Sequence, residues 1–284
     1  TRKRSSAASD VYKRQVRLCS SSRWFSDILT RQPVLLDELI TPQTLYAPPQ
    51  KMELDLELNR QMLRIAEDDE EQLMDGLRYF KHAHLLRVAA SDVTGALAVM
   101  KVSDYLTWLA ESILHRVLDI AWKALVDKHG VPCNQAGEEQ ERNFVVIGYG
   151  KMGGLELSYG SDLDLVFLHA GDSKGTTNGG RSIDNGVFYT RLGQRVIHIL
   201  NTSTASGQLY EIDMRLRPAG NSGMLVSSVA AFESYQLNEA WTWEHQALVR
   251  ARVISGSAEL ARQFEDVRHR VISRPRNASE LLVS

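Results

Sequence analysis

Hydrophobic and polar positions along this chain fall into two regimes. Between Trp24 and His129 the apolar residues recur at three- and four-residue steps, the period of amphipathic helices. Leu73, Leu77, Phe80 and His84 mark one stripe, expected on a helix over about residues 68–89. Leu106, Leu109, Ile113, Val117, Ile120 and Ala124 mark another, which Gly130 ends. Pro33, Pro42 and Pro48-Pro49 set turns between short early helices, Ser91-Asp92 offers caps for a further short helix, and Ser103 can cap the long one that follows. His82 and His84 lack acidic partners at helical spacing and read as packing or surface histidines.

After a polar linker at 134–142 the period shortens. Residues 144–147 form an unbroken apolar run, a buried strand, followed by Gly148, Gly150, Gly153 and Gly154 and a second strand over 162–168. Residues 171–185 read as an exposed loop. A helix over about 187–202 turns Tyr189, Leu192, Val196, Ile199 and Leu200 inward, with Arg191, Arg195 and His198 on its outer face. Residues 209–218 alternate: Leu209, Glu211, Asp213, Arg215 and Arg217 on one face, Tyr210, Ile212, Met214 and Leu216 on the other. A strand at 224–227 is expected to pair with it in a hairpin. Helices are expected over 228–238, over 241–253, and from Ser257 with Leu260, Phe264, Val267 and Val271 inward. The fold class is α+β: an N-terminal helical bundle, then a mixed sheet flanked by helices.

A chain of 284 residues is long enough for two cores. The expected division is a basic tail at 1–23, a helical region at 24–133, a catalytic domain at 134–256 and the start of a truncated helical region at 257–284. The tail carries seven basic residues against Asp10 alone, is rich in serine and resembles translated adaptor sequence, so it is expected to be artefactual or disordered. Net charge is −2, which offers no general attraction to nucleic acid. Cys19 and Cys133 have no metal-binding or disulfide spacing, and no apolar run reaches the roughly 18 residues a membrane span needs. A reducing cytoplasm fits both.

The glycines decide the chemistry. Gly148, Gly150 and Gly153 spell G-x-G-x-x-G after a strand, but a dinucleotide fold needs a helix and an acidic residue about 20 positions on. Only residues 155–161 separate the last glycine from Asp162, too few for that helix. A G-x-x-x-x-G-K-[ST] loop is absent as well. Asp162 and Asp164 stand two apart on a strand and so share a face, a geometry that suits a divalent metal. In the stretch 241–253 two tryptophans and an alternating charged edge can lock the helix to the sheet, and Arg250 or Arg252 is otherwise a candidate to reach a phosphate chain.

The spacing G-x11-D-x-D from Gly150 to Asp164 resembles the signature of the polymerase-β-like nucleotidyltransferases. The runs GYGKMGGLELSYGSDLDLVFLH, YEIDMRLRPAGNSGMLVSS and EAWTWEHQALVRARV resemble the adenylyltransferase half of the bacterial glutamine synthetase adenylyltransferase/adenylyl-removing family. Gly160-Ser161-Asp162-Leu163-Asp164 and residues 241–245 favour the transferring half over the removing half. The resemblance implies a polymerase-β-like catalytic domain in which Asp162, Asp164 and Asp213 bind Mg²⁺ and catalyse transfer. Gly150, Lys151, Gly153, Gly154, Ser161, Arg215 and Arg217 would hold ATP. It further implies glutamine synthetase as the acceptor, modified on a tyrosine, with glutamine as effector and the PII signalling protein as partner in the full-length enzyme. Phosphorolytic adenylyl removal and a non-catalytic nucleotide-binding module are the alternatives.

Overall fold

The computed structural model describes residues 12–13, 16–39, 45–47, 49–95 and 97–274. The expected turns at Pro42 and Pro48, and most of the tail at 1–23, lie outside them. The described residues divide into two units, one holding the first 113 residues with Leu157–Gly160 and Thr202–Leu209, the other the remainder.

The first unit is helical. α1 (Arg23–Arg31) starts on Ser22, whose hydroxyl accepts from the Trp24 amide at 3.3 Å, and a 3₁₀ segment (Pro33–Leu39) follows. α2 (Lys51–Met62) and α3 (Glu70–Val93) come next, α3 capped by Asp69 through the Gln72 amide at 3.0 Å. Leu18, Phe25, Ile28, Leu29, Leu35 and Leu39 bury one core against Ala83, Leu86 and Ala90 of α3. Leu18 sits in that core at 1% exposure, so the described end of the tail is part of the fold and the expectation of disorder fails there. Ser91-Asp92 does not start a new helix. α3 runs through to Val93, with the buried Ser91 hydroxyl donating to the Arg87 carbonyl four residues back at 3.0 Å. Nor does Ser103 cap the next helix, because α4 (Val99–His129) has already begun.

The second unit is built on a mixed sheet. β1 (Phe144–Gly148) is buried along its whole length because it pairs antiparallel on both sides, with β2 (Leu163–His169) and with a later strand over Arg252–Gly256. A single helical turn, Gly150–Gly153, lies between β1 and β2, so the crossing is tight. α5 (Asn185–Asn201) covers one face: its Tyr189 stacks on Phe144 and His169, and its Phe188 meets Trp122 edge-on. The loop before it is partly knitted in, with Thr177 and Asn185 buried.

β3 (Ser203–Thr204) and β4 (Gly207–Gln208) form a small hairpin in the first unit. β5 (Ile212–Asp213) and β6 (Val226–Ser228) both lie parallel to β2, at its start and its end. The expected hairpin between them is therefore wrong, as is one strand over 209–218. Leu209 and Tyr210 are consecutive and both buried, which breaks the alternation, and residues 214–220 coil into turns that end the pairing. α6 (Val229–Asn238) and α7 (Thr242–Val249) follow. The helix expected to reach 253 stops at Val249, and β7 (Arg252–Gly256) returns to β1, since Val253 and Ile254 are worth more paired in the sheet than exposed in another helical turn. α8 (Ala258–Ile272) opens on Ser257 and buries Leu260, Phe264, Val267 and Val271 with Val145, Ile147, Val166 and Leu168 on the other sheet face. Among the described residues no helix is long and apolar enough to cross a membrane.

Candidate active site

Two acidic side chains, Asp164 and Asp213, stand side by side where β2 and β5 begin. Asp164 is level with Asp213 across the parallel pair, and neighbours in register on a sheet point to the same face. Asp162 is exposed and sits just before β2, near enough for its charge to act on Asp164. Burial, then the charges of Asp162 and Asp213, push the Asp164 carboxyl above the ordinary aspartate range.

Gly150 lies directly under Asp164. Its φ is +51°, and a Cβ there would come within 2.2 Å of Asp164 Oδ2, so only glycine suits the position. The Tyr149 amide donates to the Asp164 carbonyl at 2.9 Å, extending the β1–β2 ladder to the site. Lys151 is exposed at the turn, and its charge acts on Asp164. Ser161 leads into Asp162 and is half-buried.

Gly153 and Gly154 face elsewhere. Their amides close the turn onto the Tyr149 and Gly150 carbonyls, at 2.9 and 3.1 Å. Their missing side chains make room for Arg250, whose carbonyl would lie 1.9 Å from a Cβ at Gly153 and whose Nη2 would lie 2.5 Å from one at Gly154. Arg250 also pairs with Glu156, and Arg252 donates to the Met152 and Gly153 carbonyls at 3.3 Å. Both arginines thus pin the glycine turn from outside. Sequence offered them either as phosphate contacts or as part of a charged edge locking a helix to the sheet, and it is a bracing role that the contacts show; the G-G pair at 153–154, which has room for a close neighbour, was the available signal.

Arg215 reaches back along its own chain. Its backbone amide and Nε donate to Asp213 Oδ1 at 2.8 and 3.0 Å, and Nε and Nη2 donate to Oδ2. These hydrogen bonds hold the Asp213 carboxyl below the ordinary aspartate range. Arg215 is otherwise open to solvent, 73% exposed at the side chain against 13% for Asp213. Arg217 instead donates to the Met214 and Asn221 carbonyls at 2.8 and 3.2 Å, bracing the turn after β5, while its charge still acts on Asp213.

Among the described residues no three His, Cys, Asp or Glu side chains converge tightly enough, as they stand, to hold a metal ion. The donor chemistry nevertheless fits a hard divalent cation. All three groups are carboxylates, two of them crowd Asp164 with like charge, and Asp213 already carries a cation in the form of the Arg215 guanidinium.

The sequence model of the family described as "Glutamate-ammonia ligase adenylyltransferase" matches residues 12–267. The chain is 56% identical over 272 residues to the bifunctional glutamine synthetase adenylyltransferase/adenylyl-removing enzyme of Pseudomonas syringae pv. tomato, covering 96% of this chain and 28% of that protein. It is 55% identical over 269 residues to the proteins of the same description from Pseudomonas putida and Pseudomonas aeruginosa, covering 95% of this chain and 28% and 27% of theirs. On a match of this length and identity, the chain belongs to the glutamate-ammonia ligase adenylyltransferase family.

Proposed function

We propose that this chain is an ATP-dependent nucleotidyltransferase that moves AMP onto a tyrosine hydroxyl of glutamine synthetase: the hydroxyl oxygen loses its proton and bonds to the α-phosphorus, and the bond to the β-phosphate breaks to release pyrophosphate. The observation that carries the reading is the register of Asp164 beside Asp213, with Asp162 two residues away and Gly150 directly beneath. The relatives named above are described as acting on glutamine synthetase in both directions, and they are more than three times as long as this chain. We assign the catalytic part to residues 134–256, cytoplasmic work to the protein, and control by glutamine and the PII protein to the longer enzyme.

In this reading Asp162, Asp164 and Asp213 hold Mg²⁺, which when bound neutralises the triphosphate and acidifies the acceptor hydroxyl. The chain's own residues do the rest. Gly150 lets the main chain come close beneath Asp164, leaving space over the turn that a side chain would fill. Lys151 and Ser161 flank that space and bind phosphate oxygens. Arg215, solvent-exposed and flexible at its stem, exchanges Asp213 for the triphosphate, so that the same guanidinium keeps Asp213 charged before binding and orients the nucleotide afterwards. Gly153 and Gly154 act indirectly, by seating Arg250 and keeping the turn rigid.

The test is incubation with ATP labelled at the α-phosphate, Mg²⁺ and unmodified glutamine synthetase. Label passes to glutamine synthetase with the native chain and is lost with Asp162→Ala and Asp213→Ala. Transfer that persists in both variants overturns the reading, and phosphate-dependent release of ADP from adenylylated glutamine synthetase would reassign the chain to the removing reaction.

A further inference from the structure

The turn that leaves β5 carries Arg215 and runs on to a strained residue. Ala219 has φ +60°, a conformation that is costly for any residue but glycine and persists only where the surroundings impose it. The contacts around it do so here. The Ser222 hydroxyl donates to the Ala219 carbonyl at 2.7 Å, the Gly220 amide donates to the Arg217 carbonyl at 2.8 Å, and the Ala219 amide hydrogen-bonds the hydroxyl of Tyr235 in α6. The first two bonds lie within the turn; the third ties it to the helices.

Tyr235 is itself held. Its hydroxyl donates to the Glu244 carboxylate of α7, at 2.9 and 3.2 Å from the two oxygens, and Glu244 Oε2 also accepts from the Trp241 amide at 2.8 Å. A glutamate at the third position of a helix commonly serves the capping amide in this way, and it can do so from the surface. Glu244 is instead only 8% exposed, and these partners are a phenol and an amide, neither of them charged. Burying a carboxylate is costly, and capping α7 does not call for it. What burial achieves is a fixed Tyr235 hydroxyl: with its proton committed to the carboxylate, its oxygen is free to accept from the Ala219 amide. A second contact fastens the same turn, since Leu216, next to Arg215, packs on the core that also receives Leu237 of α6 and Ala247 of α7. Asp213 is thus fixed in the sheet and Leu216 and Ala219 on the helices, and only Met214 and Arg215 lie between.

We infer that Tyr235 and Glu244 are positioning residues for Arg215: by holding Ala219 in its strained conformation they fix the turn from which the guanidinium reaches Asp213 and, on nucleotide binding, the triphosphate. Every residue of this relay belongs to the sheet unit. The nucleotide side of the inference rests on the nucleotidyl-transfer reading; the anchoring of the turn does not. Two readouts keep them apart.

Tyr235→Phe, Glu244→Gln, Ala219→Gly and the double variant Tyr235→Phe/Ala219→Gly are made in the full chain. Hydrogen exchange is followed at the amides of 215–222, with α5 on the opposite sheet face as internal reference, and AMP transfer is followed at varied ATP. In Tyr235→Phe, exchange at 215–222 rises at least tenfold while α5 is unchanged, and KM for ATP rises at least fivefold. General loss of folded protein would lower the maximal rate and leave KM alone. Glu244→Gln, which keeps an acceptor for the hydroxyl without the charge, falls between. The deciding comparison is with Ala219→Gly. Glycine adopts φ +60° unaided, so in that background loss of the Tyr235 hydroxyl should raise KM no more than twofold. Native exchange or a native KM in Tyr235→Phe overturns the inference, as does a rise in KM that is the same in both backgrounds. A native chain that transfers no AMP would sink the functional reading, while exchange at 215–222, compared between the same two backgrounds, still judges the anchor.

Discussion

Gly150 is the residue where backbone conformation and chemistry meet. Any L side chain at φ +51° carries strain, of order 1–3 kcal/mol, and a Cβ 2.2 Å from Asp164 Oδ2 must also displace the carboxylate. Gly150→Ala is therefore expected to cut kcat for AMP transfer by about 100-fold, the scale of loss from a misplacement of about 1 Å. Gly160→Ala is the control: a Cβ there meets nothing within 4 Å and its φ is not positive, so its rate should stay within twofold of native. Steady-state assays of the two variants side by side check this, and equal rates would remove Gly150 from the site. The same scale explains what sequence could say of the other candidates. Asp162 and Asp164 were legible as a pair because strand alternation is strictly local. That Asp213 lies level with Asp164 depends on strand pairing across almost fifty residues, which no local pattern carries. Arg215 and Arg217 read as equivalent in an alternating stretch, yet one grips Asp213 and the other a turn.

At the scale of elements, α8 shows what tertiary packing adds. Its stripe of Leu260, Phe264, Val267 and Val271 was plain in the sequence, but not the surface it serves. Phe264 is fully buried, with its ring 5.9 Å from that of Phe232. Phe264→Ala should cost about 3–5 kcal/mol, read as a fall in the urea midpoint, because a side chain this enclosed leaves a cavity its neighbours cannot refill. An unchanged midpoint would mean α8 is dispensable to the sheet. In the helical unit α2, α3 and the 3₁₀ segment are joined by charge: Arg87 pairs with Glu38 at 2.8 Å and Glu57 at 3.1 Å. Burial pushes the Glu57 pKa up, but the His84 hydrogen bond and the charges of His84 and Arg87 outweigh it and bring it down to about 2. A carboxyl whose folded pKa is depressed adds stability that is fully present above its unfolded value near 4.5 and is lost as pH falls toward 2. Solvent reaches this half-exposed pair, so about 1 kcal/mol is expected at pH 7. Urea midpoints of the native chain and Glu57→Gln should differ by that much at pH 7 and converge between pH 4.5 and pH 2; a gap that widens on acidification would reverse the assignment. Long helices and the apolar β1 and β2 were readable because their periods repeat over many residues. β5 has two residues and β7 begins three positions after a helix ends, so neither gives a period to read.

For the molecule as a whole, the division into units does not follow the order of the chain. The helical unit takes in Leu157–Gly160 and Thr202–Leu209, and each of these segments runs straight on into a strand that carries a site carboxylate. A boundary drawn by composition near residue 134 passes both segments by, since neither is long enough to change the local pattern. The consequence is energetic. In an excised fragment of residues 12–113, Arg78 and Lys81 would lose the carbonyls of Thr202, Gly207 and Leu209 together with the segment that covers them, and each such hydrogen bond from a charged donor contributes about 1.5–3 kcal/mol. That is a large part of the stability of any small domain, typically about 5–15 kcal/mol in total. The fragment is therefore expected to show helical far-ultraviolet circular dichroism, because its helices are amphipathic and capped, but no cooperative thermal transition, whereas the whole chain melts cooperatively. Adding back a peptide spanning residues 202–209 should restore little of it, since the covalent loop closure is lost. A fragment that melts sharply would show that the helical core is complete without the hairpin.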